Sequence, residues 1–235
     1  MLILGIESSA LSAGAAVVKD GKLISETYLN TGLTHSETLL TLTESCLQNA
    51  GLSVSDIDAF AVCRGPGSFT GIRIGVSLVK GLSFPEDKPV YGISTLEAMA
   101  WGARLDEYLI CPVMDARCMQ VYSALFRKDG DKLLRLEEDA PRKLDELYAV
   151  LSRYQKKVLL IGDGAALAGK YFSEKRDVSF ELFTEIFQFQ RAAGVAFAAA
   201  MRYNIGDMGE KSQDLQPSYL RLSQAERERN RGEKK

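Results

Sequence analysis

Apolar residues fall along this chain in two rhythms. Leu2-Ile3-Leu4-Gly5-Ile6 is a short unbroken apolar run that stops at Glu7-Ser8-Ser9, the form of a buried strand running into a polar turn. Residues 13–18 and 23–29 read as two more strands. Between them stands Asp20-Gly21, a dipeptide suited to a tight hairpin turn. The rhythm then lengthens. Leu39, Leu42, Thr43, Cys46, Leu47 and Ala50 share one face at a 3.6-residue period, which predicts a helix. Thr34 and Glu37 have the spacing of a capping box, and Gly51 stands at the place of a C-cap glycine. Residues 57–63 read as a strand, and Arg64-Gly65-Pro66-Gly67-Ser68-Phe69-Thr70-Gly71-Ile72-Arg73-Ile74-Gly75 turns it into a helix predicted to about Leu82. A strand at 89–93 and a helix from Ser94 to about Arg104 follow.

The second half opens in the same style. Residues 108–114 predict a strand ending at Asp115-Ala116-Arg117, with its partner at 121–126. A helix is expected over 141–153, a strand over 158–161, a helix opened by Gly162-Asp163-Gly164, and an alanine-rich helix over 189–203. Each half begins with a strand ending in an acid and later carries strand, Gly-x-Gly turn and helix. That is a degenerate internal duplication. It predicts an α/β protein of two related lobes, 1–104 and 105–222, with a cleft between them and a charged tail over 223–235.

Hydrophobic residues make up 46% of the 235, enough for a substantial core. The formal net charge of −2 supplies no global field for nucleic acid, so RNA contact would need a local patch or a second subunit. Cys46, Cys63, Cys111 and Cys118 show no paired spacing and read as free thiols. The apolar run 192–201 is too short to span a bilayer, and Glu7 interrupts the first one, so a cytoplasmic setting without membrane contact is expected.

Five segments, in this order, carry a family resemblance: Leu4-Gly5-Ile6-Glu7-Ser8-Ser9, His35-Ser36-Glu37-Thr38-Leu39-Leu40, the glycine segment 65–75, Asp115-Ala116-Arg117 with Val121-Tyr122, and Pro217-Ser218-Tyr219-Leu220-Arg221. Together they resemble the TsaB (YeaZ) family, accessory proteins of bacterial tRNA threonylcarbamoyladenosine synthesis. That family lies within the two-lobed actin, sugar-kinase and Hsp70 (ASKHA) superfamily. The resemblance implies kinship with TsaD, the paralogue that transfers a threonylcarbamoyl group to an adenosine beside the tRNA anticodon. It implies a TsaD-like partner held through helices of the first lobe, a TsaE-like ATPase reached through that pair, and tRNA met indirectly. A homodimer is expected where the partner is absent.

TsaD-like proteins carry two metal-binding histidines four residues apart. This chain has one histidine, His35, and Leu39 stands four residues on, so neither a metal nor a cofactor is expected. Glu7, Ser9 and Asp115 stand where kinase-like relatives handle phosphate, and they are the candidates for a degenerate nucleotide site. The glycine segment lacks the Gly-Lys-Ser/Thr ending of a phosphate loop. Gly71 and Gly75, four apart on a helix, clear a stripe for another backbone, either this protein's own or a partner's. On that ground Leu39, Thr43, Gly71, Ile72, Gly75 and Val79 are the partner-binding candidates, within the interface segments 36–50 and 70–82. The expectation is a non-catalytic accessory subunit. Its rivals are a small ATP-dependent phosphotransferase using Glu7 or Asp115 with magnesium, and a metal-dependent peptidase.

Overall fold

The computed structural model describes residues 1–103, 105–175, 177–183 and 188–221. Arg104, Leu222 and the tail lie outside the described residues. The first half runs β1 (Leu2–Glu7), β2 (Ala13–Lys19), β3 (Lys22–Leu29), α1 (His35–Asn49), β4 (Ala59–Gly65), α2 (Phe69–Ser83), β5 (Val90–Ser94) and α3 (Thr95–Gly102). The second runs β6 (Leu109–Asp115), β7 (Gln120–Asp129), β8 (Lys132–Lys143), α4 (Leu144–Ser152), β9 (Val158–Ile161), α5 (Ala165–Ser173), β10 (Phe180–Leu182) and α6 (Ala192–Asn204).

The duplication is complete at the level of topology. One sheet has the order β3-β2-β1-β4-β5 and the other β8-β7-β6-β9-β10. In each, the first strand pairs antiparallel with its hairpin neighbour and parallel with the strand beyond the crossover helix. The outer face of the first sheet is covered by α1 and α2, with Leu39, Cys46, Ile72, Val76 and Val79 against Leu4, Ile6, Phe60 and Val62. The second sheet is covered by α4 and α5 in the same way, with Leu147, Leu151, Ala168 and Phe172 against Leu109, Val113 and Leu160.

The inner faces are covered by exchange. Helix α6, from the second half, lies on the first sheet, where Val195, Ala196 and Ala199 pack with Ile3, Val18 and Ala61. Helix α3, from the first half, places Leu96, Met99 and Ala100 among Ile110, Met114 and Phe126 of the second. The two helices meet at Gly194, where a Cβ would lie 2.3 Å from the Ala98 carbonyl oxygen. Gly5 on β1 clears the space above it for Ala196 in the same manner. An ion-pair network adds to this junction: Glu97 of α3 accepts from Arg202 of α6 at 2.8 Å and pairs with Arg135 of β8 at 3.4 Å. The chain then returns to the first lobe, with Glu210 bridging Val90 and Leu215 buried in the outer core. A division near residue 104 therefore assigns one sheet to each half, while α6 and the returning strap pack on the first and Arg221 reaches the second hairpin.

Several local expectations need correction. Residues 141–143 are strand, not helix. They end β8, a half-exposed edge strand whose mixed residues gave no alternating signal; Pro141, opposite Tyr122, is tolerated at an edge. Helix α4 starts three residues later, where the Glu146 carboxylate accepts from the Lys143 N–H at 2.9 Å. The Thr34 side chain makes no capping bond; the Glu37 N–H meets the Thr34 carbonyl instead. Gly51 does end α1, at φ +67°. No helix among the described residues is long and apolar enough to cross a membrane.

The two glycine environments give opposite expectations. Gly194→Leu forces α3 and α6 apart and lowers stability by about 3 kcal/mol. Gly81→Ala, in exposed helix with open space around it, raises stability by about 0.5–1 kcal/mol. Chemical denaturation with circular dichroism checks both.

Candidate functional site

The glycine corner between β4 and α2 is where the sequence singles out possible chemistry. Its backbone needs glycine at two points: Gly65 has φ +123° and Gly67 φ +156°, values that L side chains rarely adopt. Ser68 caps α2 by accepting from the Gly71 N–H at 3.2 Å. The space in front of this helix start is occupied by the protein's own β1–β2 turn. The Ser68 N–H donates to the Ser9 carbonyl at 2.6 Å. Ser8 Oγ donates to the Gly71 carbonyl at 2.9 Å. A Cβ at Gly71 would lie 2.1 Å from the Ser8 carbonyl oxygen, one at Gly75 2.3 Å from Ser8 Oγ, and one at Gly67 2.2 Å from the Ser9 carbonyl oxygen. The small-residue stripe thus receives this chain's own turn.

Glu7 anchors that turn from beneath. Its Oε1 accepts from Ser9 N–H at 2.6 Å and from Ser9 Oγ at 2.5 Å. Its Oε2 is buried without a hydrogen-bond partner, and the Cys63 thiol stands beside the carboxyl. Burial drives the Glu7 pKa above the ordinary glutamate value, only partly offset by its hydrogen bonds. Cys63 is driven up by burial and by the neighbouring acid. His35 closes the turn from α1. Its Nε2 lies 2.7 Å from the Ala10 carbonyl, which requires Nε2 to carry the proton, and its Nδ1 is buried without a partner. This histidine serves as a clasp between α1 and the turn.

The second hairpin repeats the motif in an open form. Asp115 Oδ1 accepts from the Arg117 N–H at 2.7 Å, two residues on, as Glu7 accepts from Ser9. Here the carboxylate is exposed, and Arg117, Cys118 and Met119 follow with φ of 62°, 55° and 56°. Asp163, at the β9–α5 turn, has its pKa raised by burial, with the nearby Asp115 charge adding to the rise; Gln190 Nε2 reaches it at 3.4 Å. The C-terminal strap joins the two hairpins. The Ser218 N–H donates to the Arg64 carbonyl at 2.6 Å, Tyr219 meets Arg73, and Arg221 Nη1 donates to the Ala116 carbonyl at 2.8 Å.

Of the nucleotide candidates, Glu7 and Ser9 form one buried unit, while Asp115 lies exposed on the other lobe. The partner-binding candidates are placed otherwise than expected. Leu39, Thr43, Gly71, Ile72, Gly75 and Val79 are all buried inside this chain. The apolar period that identified them is the period of the core-facing stripe, so it pointed inward. The outward residues of the same helices include Leu40, Glu44, Arg73 and Ser77. Sequence reasoning passed over Ser8 as a socket-filling residue and the Asp163–Gln190 pair; a backbone contact for His35 was legible from its place at the helix start, though not that Ala10 would supply it. No cluster of three or more histidine, cysteine, aspartate or glutamate residues suited to a metal occurs among the described residues.

Glu7 gives a pH test. Its folded pKa lies above its unfolded one, so its contribution is fully present below the ordinary glutamate range and is lost as pH rises through the raised value. Gln at this position keeps an oxygen for both Ser9 bonds and cannot ionise. The melting temperature of Glu7→Gln relative to the parent is expected to rise with pH over the window that opens at the ordinary glutamate range and closes at the raised folded value. A flat difference across that window contradicts the assignment.

Comparison with known proteins agrees with this architecture. The family model of TsaD, tRNA N6-adenosine threonylcarbamoyltransferase, matches residues 30–229. The tRNA threonylcarbamoyladenosine biosynthesis protein TsaB of Bacillus subtilis is 30% identical over 228 residues, covering 96% of each chain. Its Escherichia coli counterpart is 31% identical over 167 residues, covering 70% of this chain and 72% of that one. The tRNA N6-adenosine threonylcarbamoyltransferase of Bacillus subtilis is 32% identical over 130 residues, or 48% of this chain and 38% of that one. The crystal structure of a Pseudomonas aeruginosa protein similar to peptidase YeaZ superposes with a TM-score of 0.79 at 24% identity, over 94% of this chain and 99% of that one. With its two lobes, its paired hairpins and its likeness along nearly the whole length of the Bacillus subtilis TsaB, the chain belongs to the TsaB (YeaZ) family of tRNA threonylcarbamoyladenosine biosynthesis proteins, paralogous to TsaD.

Proposed function

We propose that this chain is a non-catalytic subunit that binds and supports a TsaD-like threonylcarbamoyltransferase, with a TsaE-like ATPase joining through that pair and tRNA met within the assembly. The observation that carries the proposal is the filled glycine corner. A phosphate loop at this corner would need the start of α2 open, and Ser8 and Ser9 occupy that approach. The chain's one histidine is engaged with the Ala10 carbonyl. Chemistry on a nucleotide is thus left to a partner, and what this chain offers is surface.

The outer faces of α1 and α2 are the proposed docking face. Leu40 is 50% exposed on α1, and Leu33, just before it, is 55% exposed. Ile74 and Leu78 are half-buried on α2 beside exposed Ser77. Two adjacent helices with apolar residues left outward suit a helix pair from another subunit.

The test is co-purification with the TsaD-like paralogue of the same organism. The parent chain is expected to bind it. Leu40→Glu with Ser77→Arg is expected to weaken binding by more than about tenfold, while stability changes by no more than about 0.5 kcal/mol at each exposed site. Absence of association in the parent chain, with threonylcarbamoyladenosine intact after deletion, defeats the proposal. Magnesium–ATP turnover abolished by Asp115→Asn would favour the phosphotransferase instead.

A further inference from the structure

The C-terminal strap presents chemistry that a helix-face interface does not use. Tyr219 stacks on Phe69 with ring centroids 4.5 Å apart and planes 25° from parallel. The Arg73 guanidinium lies 4.0 Å from the Phe69 centroid, and its Nε donates to the Tyr219 hydroxyl at 2.8 Å. Two residues on, Arg221 is held by the Ala116 carbonyl, next to exposed Arg117. Phe69, Arg73, Tyr219, Arg221 and Arg117 therefore follow one another from the start of α2 to the second hairpin.

Arg135, Arg142, Arg191 and Arg202 each reach a carboxylate, whereas among the described residues Arg64, Arg127 and Arg153, like the three of the ridge, do not; the ridge differs in placing its arginines beside stacked rings. Among the described residues, Arg73, Arg117 and Arg221 have no carboxylate within ion-pair distance; Arg73 and Arg221 are held by rings, a hydroxyl and a carbonyl. A guanidinium oriented by neutral groups keeps its charge for a ligand. The acid at this edge is Asp115, one of whose oxygens already accepts the Arg117 N–H. Tyr219 is 40% exposed, a ring half-available for stacking.

We propose that this ridge is a direct contact for a single-stranded RNA loop, its arginines meeting phosphates and Tyr219 receiving an unstacked base. Stacking on an aromatic ring beside unpaired arginines suits splayed bases on a phosphate backbone. A duplex withholds its bases, and a free nucleotide spans too little of the ridge. With a formal net charge of −2 over the chain, the contact is local. The proposal rests on the tRNA-linked role proposed above and names the surface through which RNA is met.

The test is fluorescence anisotropy with a labelled anticodon stem-loop RNA. It is run on the full chain alone and on its complex with the TsaD-like protein, with an RNA duplex and ATP as competitors. In at least one of the two states, Arg73→Ala with Arg117→Ala is expected to weaken loop binding about tenfold and to flatten the slope of log affinity on log salt by about 1.4. The corresponding lysine pair is expected to retain that slope, which separates charge from folding. Tyr219→Ala is expected to weaken binding about tenfold and Tyr219→Phe to leave it within about twofold. Loop binding absent from both states, indifferent to these substitutions, or equally displaced by duplex or ATP overturns the ridge. If pairing with the TsaD-like protein holds while RNA binding ignores the ridge, only the ridge falls; if pairing fails while loop binding keeps its dependence, only the accessory role falls.

Discussion

A carbonyl oxygen can rest against a helix only where the helix has no side chain in its way. That constraint governs the first lobe's polar edge. Gly67, Gly71 and Gly75 leave room for Ser8 and Ser9, and the turn so placed sets the position of Glu7 beneath it and His35 beside it. Gly65 extends the same permission to Ser218, which brings the C-terminal strap onto the corner. Two distant parts of the chain, the β1–β2 turn and the C-terminal strap, thus converge on one backbone surface through close backbone approach.

The same economy of side chains builds the junction between the lobes. Gly194 meets Ala98, and Ala196 meets Gly5, so helices and sheet approach more closely than larger residues would permit. Close approach costs apolar area per residue, which the alanine-rich α6 offsets by burying seven of its thirteen residues. The charged network of Glu97, Arg135 and Arg202 surrounds this junction, its members half-buried and mutually paired. A glycine corner that looks like a ligand site and an alanine helix that looks like a hydrophobic span are both packing devices.

Much of this was legible in the residues. The acid at the end of β1 and of β6, and the Gly-x-Gly turns before α2 and α5, announced a duplicated α/β protein. The unbroken apolar runs located the buried strands. Edge strands β8 and β10 escaped because one of their faces is wet and their polar residues follow no simple alternation. The glycine stripe was legible as a place of close approach, but not which backbone would approach, since helical period alone cannot distinguish a core face from an interface. Leu39, Thr43, Ile72 and Val79 fell to that ambiguity. The arginine ridge was hidden for another reason: its members come from three separate segments, and only folding makes them neighbours.

The exchange of α3 and α6 has a consequence for the order of events during synthesis. The first sheet is made early, yet the helix that covers its inner face is the last one among the described residues. Until α6 emerges from the ribosome, Ile3, Val18, Ala61 and Cys63 have no permanent cover. The amino-terminal half is consequently a nascent-chain client in need of shielding, and a ribosome that stalls before residue 192 leaves a sticky half-protein rather than an independent lobe.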